Sequence, residues 1–273
     1  MLKFNCSEKV VANSEVMKLI VLGSGTAVPH STRSPAGFWL ETSGGKSILL
    51  DCSATAIYRA ARENLDWANI DAIWISHFHL DHCAGLAPYL FGTKNADETR
   101  NRKKPLRIFG AAGLNDLINA FSDANDYNLL KQPFPVEIRE VEALEEFKVL
   151  QDVRAVAAKT PHTAESIAIR LTDEYDKTLV YTSDTGFTES LIHLADSADL
   201  LVTECSFVEN KPVETHLNLR EAMYLIRRAK PKRAVLTHLY PEWDTVDVQA
   251  EIAKFSPACV VFEAADGLQI EVN

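Results

Sequence analysis

WISHFHLDHCAGL, residues 74–86, sets His77, His79, Asp81 and His82 within six positions, directly behind an apolar run. Two imidazoles at i and i+2 on an extended turn can face one ion. A carboxylate and a third imidazole two and three residues further on can face a neighbouring ion, and this donor set suits zinc and related divalent metals. A lone histidine in such a place is more often a turn residue, but this spacing behind the strand AIWIS (72–76) reads as a ligand constellation.

Outward from that stretch, short β-type runs dominate the first half. Met17 opens MKLIVLG, and GFWLET (37–42) and SILLDC (47–52) follow, separated by the turn signal Gly44-Gly45. Residues 54–64, Ala-rich and free of Gly and Pro, predict a helix. The polar stretch 92–105, with RNRKK, predicts a solvated loop before the strand LRIFG. A helix over about 113–122 is followed by the strands VEIREV, FKVL and VRAVAAK, then by a hairpin of IAIRLT and TLVYTS around DEYDK. Beyond it, helices over 188–195, 217–229 and about 245–254 alternate with the strands DLLVTE, RAVLTH and ACVVF. The expectation is an α/β fold, two packed β-sheets with helices outside. Residues 1–16 are expected to be an N-terminal extension and residues 17–273 a single domain.

Composition bounds the function. The chain is 47% apolar with a formal charge of −10, which disfavours non-specific attraction to a polyanion. No run approaches the roughly 20 apolar residues of a membrane span. The five cysteines lack CxxC spacing, and the first residues carry no apolar signal core, so the expected location is the cytoplasm with reduced thiols.

Further donors stand just past later strands: His162 in KTPHT, Asp184 in YTSDTG and His238 in LTHLYPE. Singly, each has a bland reading as a loop histidine or a turn carboxylate. Together and in this order they resemble the metallo-β-lactamase superfamily, over nearly the whole chain from Met17. LGSGTAVP, ILLDC, YTSDTG, LLVTECSF and LTHLYPE are similar to the branch that holds the tRNA 3′-processing ribonuclease (ribonuclease Z) and related cyclic phosphodiesterases.

That resemblance implies an αββα four-layer sandwich with a dinuclear metal site at one edge. His77, His79 and His162 would hold one ion, Asp81, His82 and His238 the other, and Asp184 would bridge them. The metals would be zinc, with manganese or iron compatible with the same donors. Two ions about 3.5–4 Å apart can hold a hydroxide between them and stabilise both reacting oxygens of a displacement at phosphorus. Asp81, Glu204 and His216 are the catalytic candidates: Glu204 matches a family glutamate that supports a proton-donating histidine, and His216 matches that histidine. Glu204 also reads as a solvated strand end and His216 as a residue that merely precedes a helix.

The chain departs from the ribonucleases in two respects, the first being that ILLDC continues as SATA where the family commonly has a glycine after the cysteine. In the second, ESIAIRLTDEYDKTLVYTS fills the interval between His162 and Asp184, where those enzymes carry a long tRNA-binding arm. The expected activity is therefore hydrolysis of a small or cyclic phosphodiester by metal-bound hydroxide. A tRNA 3′-processing endoribonuclease and an ester, thioester or lactone hydrolase are the alternatives, and a homodimer fits the branch. Other readings are an iron-dependent redox role, against which His79 stands where such members usually carry a glutamate, and a non-catalytic interaction protein. Ser24 or Thr26 of the LGSGT turn, and Tyr240 and Trp243 after His238, are weak candidates for contact with substrate. A chain starting at Met17 is expected to melt cooperatively near the full-length midpoint and to keep its hydrolytic rate; an unfolded circular-dichroism spectrum would remove the assignment of 1–16 as an extension.

Overall fold

Successive side chains of a strand point to opposite faces, so a strand apolar at every position must be covered on both. The first strand, β1 (Met17–Gly23), sends Met17, Leu19 and Val21 to one buried cluster and Ile20 and Leu22 to another. The computed structural model describes residues 16–273, and it extends this pattern into two seven-stranded sheets. Apart from Val16, the extension expected over 1–16 lies outside the described residues.

In chain order the next strands are β2 (Gly37–Glu41), β3 (Ser47–Leu50), β4 (Ala72–Ile75), β5 (Leu106–Gly110) and β6 (Val136–Glu140). Then come β7 (Glu146–Leu150), β8 (Val153–Lys159), β9 (Ile167–Asp173), β10 (Thr178–Tyr181), β11 (Leu200–Glu204), β12 (Arg233–Thr237), β13 (Val260–Glu263) and β14 (Gln269–Val272). One sheet has the order β14-β1-β2-β3-β4-β5-β6 and the other β13-β12-β11-β10-β9-β8-β7. In both, antiparallel pairing gives way to parallel pairing, from β3 to β6 in the first and from β10 to β13 in the second.

The inner faces meet in one core. Phe38, Leu50 and Trp74 of the first sheet join Phe147, Ile169, Tyr181 and Val202 of the second. Helices α1 (Ala56–Arg62), α3 (Leu86–Thr93) and α4 (Leu114–Asp123) cover the outside of the first sheet; α5 (Ser190–Leu194), α6 (Leu219–Ala229) and α7 (Val248–Ala253) cover the second. The one-turn α2 (Leu80–Cys83) lies inside the histidine stretch. The architecture is the αββα sandwich. Two elements carried no expectation from the sequence. Helix α3 carries Pro88 in its first turn, where a missing N–H costs little, and Gly92 in its last, and it buries Leu86, Tyr89 and Leu90 on the sheet. Strand β14 is four residues long and is specified by its antiparallel pairing with β1 at the far end of the chain. Among the described residues no helix is long and apolar enough to cross a membrane, and Cys52, Cys83, Cys205 and Cys259 are free thiols.

The basic loop is not solvated throughout. Arg102 is only 4% exposed, and its guanidinium donates to the carbonyls of Ala68 (2.8 Å), Ile70 (2.6 Å), Lys104 (3.0 Å) and Pro105 (3.0 Å) above the ring of Phe134. It ties the loop to the turn before β4, which delivers the histidines. Lys104 pairs with Asp71, so neither side chain is free for a phosphate. Arg102→Met leaves those carbonyls without a charged donor and is expected to cost about 2–4 kcal/mol. Arg102→Lys should recover only part of that, because an ammonium cannot span the fork. Chemical denaturation checks both, and an unchanged midpoint for Arg102→Met would remove this role.

Candidate metal centre

The donors stand where parallel strands end: His77 and His79 after β4, Asp184 after β10, Glu204 at the end of β11 and His238 after β12. His162 follows β8. After β3, β10 and β12 the chain turns sharply, with Asp51 (φ 60°), Ser183 (φ 54°) and His238 (φ 56°) in the left-handed region. Such conformations cost of order 1–3 kcal/mol each and persist only where their surroundings hold them. Gly85 permits the close docking of the histidine stretch on the loop after β3, since a Cβ there would lie 2.1 Å from the carbonyl oxygen of Ser53.

The structure brings the seven expected donors together in two groups. His77, His79, His162 and Asp184 offer ligand atoms within 4.8 Å of one another, and so do Asp81, His82 and His238. Asp184 stands between them: its Oδ1 is 3.3 Å from His82 Nε2, and its Oδ2 is 3.2 Å from His238 Nε2 and 3.8 Å from His77 Nε2. Asp81 Oδ2 is 3.6 Å from Nε2 of both His82 and His238.

The hydrogen bonds behind the rings fix their tautomers. His82 Nδ1 donates to Asp51 Oδ2 at 2.7 Å. Ser76 Oγ gives its proton to Asp51 and so accepts from His77 Nδ1 at 3.1 Å. Ser206 Oγ gives its proton to Glu204 and so accepts from His238 Nδ1 at 3.0 Å. His162 Nδ1 donates to the Thr215 carbonyl at 2.9 Å. Each ring, in its neutral form, thus presents Nε2 as a lone pair, and the buried Nε2 atoms of His77, His82 and His238 have no hydrogen-bond partner. Buried polar nitrogens are rarely left so. His162 Nε2 and His79 Nδ1, 3.0 Å apart, likewise need a proton or a cation between them. Unpartnered lone pairs converging with two carboxylates are what divalent cations require, so the residues fit the implied metals.

The electrostatics distinguish the rings. Burial, with His82 nearby, pushes the His77 pKa down to about 2, which keeps it a neutral ligand. Burial would raise the Asp81 carboxyl, but His238 and His82 draw it down to about 2. Burial opposes the charge on His82 too, yet Asp184 and Asp51 hold its pKa well above the ordinary imidazole value.

Asp51 is the residue that sequence reasoning passed over. It is fully buried and accepts from Ser76 N (2.8 Å), Ser76 Oγ (2.8 Å), His82 Nδ1 (2.7 Å) and Tyr181 OH (2.7 Å), so one carboxylate steadies a ring in each group. Its signal was a carboxylate at the end of an apolar strand, the same one that marked Asp184.

Beside the second group, Glu204 Oε1 accepts from Thr185 N (2.6 Å) and His216 Nδ1 (3.0 Å), while Oε2 accepts from Ser206 Oγ (2.7 Å) and Leu217 N (3.0 Å). It is buried rather than solvated, and it fastens the residue after Asp184 to the one after His216. Burial disfavours the His216 cation, but the Glu204 hydrogen bond outweighs it and the pKa is raised. Tyr240 stands half-buried near His216 and His238. Other weak candidates fall away. Trp243 is buried with its indole N–H on the Cys205 carbonyl, Ser24 Oγ is turned onto Asp266, and Thr26 caps the Val28 amide. Cys83 and Cys205 are buried packing residues, the Cys83 thiol pushed up to about 12 chiefly by burial.

Two seven-stranded sheets and this donor edge define the class of metal-dependent hydrolases with the metallo-β-lactamase fold. The family model described as anti-Pycsar protein Apyc1 matches residues 17–259, and the chain belongs to that family. It is 26% identical over 226 residues to the probable metallo-hydrolase YhfI of Bacillus subtilis, covering 82% of this chain and 87% of that one. Human tRNase Z, short form, superimposes with a TM-score of 0.76 at 20% identity, over 94% of this chain and 99% of that one. A diphosphatase of the PhnP family gives 0.70 at 20% identity, over 94% and 98%.

Glu204→Gln turns one acceptor into a donor facing buried N–H groups and is expected to cost about 1–3 kcal/mol. Because Glu204 raises the His216 pKa in the folded protein, the pair's share of that loss is full below the ordinary imidazole pKa and fades as pH rises through the raised value. Denaturation at pH 5.5 and at pH 9 checks this; an equal loss at both would remove the ion pair.

Proposed function

We propose that this chain hydrolyses a small or cyclic phosphodiester at two divalent ions, with zinc the metal best suited to the donors. His77, His79 and His162 would hold one ion, Asp81, His82 and His238 the other, and Asp184 both. The observation that carries the reading is the position of Asp184 between two sets of bare imidazole nitrogens. Divalent ions there would supply an activated water near neutral pH and neutralise charge on the phosphoryl oxygens.

The chain's own residues supply orientation and a proton. Asp51, Ser76 and Ser206 hold the rings so that their lone pairs face one place. Glu204 occupies His216 Nδ1, which leaves Nε2 as the nitrogen that delivers a proton to the departing alkoxide. The raised pKa keeps that proton in place near neutrality. His216 also offers a ring nitrogen within 4.8 Å of ligand atoms of Asp184 and His238, which sets it beside the proposed metal site.

The small-substrate reading rests on β9 and β10, which are joined by the tight turn Asp173–Lys177 where a tRNA-binding arm would sit. The proton donor formed by His216 on Glu204 supports phosphodiester over thioester chemistry.

Metal-reconstituted protein is expected to turn over bis(p-nitrophenyl) phosphate and 2′,3′-cyclic nucleotides, but not precursor tRNA or a thioester. Asp81→Ala should fall to the metal-free background. His216→Ala should lose about 10²–10⁴-fold on a poor alkoxide leaving group and far less on p-nitrophenolate, which needs no proton. Equal losses on both would take His216 out of the acid role, and preferred turnover of precursor tRNA or thioester would overturn the substrate class.

A further inference from the structure

On the outer layer of the second sheet, a cleft of about 730 Å³ runs between α6 and the segment Phe255–Cys259 that leads into β13. Its lining shares no residue with the metal centre. Met223 and Ile226 form an apolar floor, and the half-exposed rings of Tyr224 and Phe255 stand at its edges. Arg220, Arg227 and Lys230 line it as well, and no carboxylate does.

Helix stability accounts for a cation at Arg227, in the last turn where the dipole favours positive charge, but not for Arg220. Arg220 is the second residue of α6, where the helix dipole disfavours positive charge, and the Asn218–Glu221 capping box has already satisfied that end. Lys230 occupies the left-handed position after the helix (φ 52°), where glycine is the favoured residue. Neither Arg220, Arg227 nor Lys230 forms an ion pair among the described residues, in a chain whose net charge is −10 and whose neighbouring Lys211 is paired with both Glu214 and Glu221. Arg220 and Arg227 are two helical turns apart, about 10 Å along the axis. Tyr224 lies between them, its ring held by Phe187 at 5.5 Å and its hydroxyl by Arg228 at 2.8 Å. A ring held in this way, with Arg228 also over it, is in place at the edge of the cleft without having to be ordered first.

We propose that this cleft is a second binding site, for a free nucleoside phosphate: its phosphate on the unpaired cations of α6 and its base against the aromatic edges and apolar floor. The cations read the anion, the rings read a planar group, and a phosphorylated nucleoside uses both. The site is independent of the hydrolytic reading, since it shares no side chain with it.

Isothermal titration of the metal-loaded full chain with UMP and AMP tests the proposal. Arg220→Glu/Arg227→Glu carries the test, Lys46→Glu is the charge control, and Asp184→Asn separates binding at the metal centre. The expected result is a binding event that weakens at least tenfold in the α6 double variant and persists in Lys46→Glu and in Asp184→Asn. Uridine without phosphate should fail to produce it, and bis(p-nitrophenyl) phosphate turnover should be unchanged in the double variant, which also shows that this variant is folded. Arg220→Gln/Arg227→Gln, which removes charge without reversing it, should weaken binding in the same direction. No binding at millimolar nucleotide overturns the proposal, as does binding that both α6 variants leave intact. Tighter binding of a short oligonucleotide than of the mononucleotides overturns the assignment to a free nucleotide.

Discussion

Imidazoles and carboxylates buried together at a sheet edge are tolerable only if every ring nitrogen has a partner. One nitrogen of each of four rings is provided for by the protein: Asp51 takes that of His82, Ser76 that of His77, Ser206 that of His238, and the Thr215 carbonyl that of His162. The opposite nitrogens converge with nothing between them but Asp184 and Asp81. A core that places its apolar residues to near-complete burial elsewhere gathers at this one edge a set of donors suited to cations. Strand order, left-handed turns and the close approach at Gly85 all serve to hold that edge in place.

The hydroxyls in this network determine which nitrogen is available. Ser76 and Ser206 each have one proton, and in each case a buried carboxylate takes it, so the oxygen can only accept from the imidazole. Asp51 and Glu204 therefore set ring tautomers through an intermediate as well as directly. Glu204 also binds the amides of Thr185 and Leu217, so Asp184 and His216 are referenced to the same carboxylate although 32 positions separate them in the chain. Outer partners of this kind orient ligands and tune their basicity.

The legible part of this molecule was the part with a local signature. Alternation and apolar runs gave the strands of both sheets, and His77 to His82 announced themselves by spacing. His162, Asp184 and His238 were readable because each stands just past an apolar run. Asp51 stands in the same kind of place but was passed over, because nothing in the sequence says that its partners are His82, Ser76 and Tyr181. Arg102 looked like one member of a charge run, and only the fold shows four carbonyls closing on it. Strand β14 depends on a partner some 250 positions away, and α3 on the sheet surface that buries Leu86, Tyr89 and Leu90. What local pattern could not supply was, in each case, a non-local contact.

The charge of the edge has a consequence for binding as well as for chemistry. Asp51, Asp81, Asp184 and Glu204 are all gathered there, on a protein whose net charge is −10, so the bare protein repels a phosphodiester before any reaction begins. Divalent cations held by these donors would reverse that sign locally, because a bound cation is commonly the largest charge in its site. For the proposed phosphodiester, attraction and water activation would then have one origin. The raised pKa of His82 shows the same field from the other side: where two carboxylates hold a proton on a buried imidazole, they create the demand for positive charge that a metal ion would meet. Protons and metal therefore compete for one place, and the acidic edge that binds the metal is also what makes its loading depend on pH.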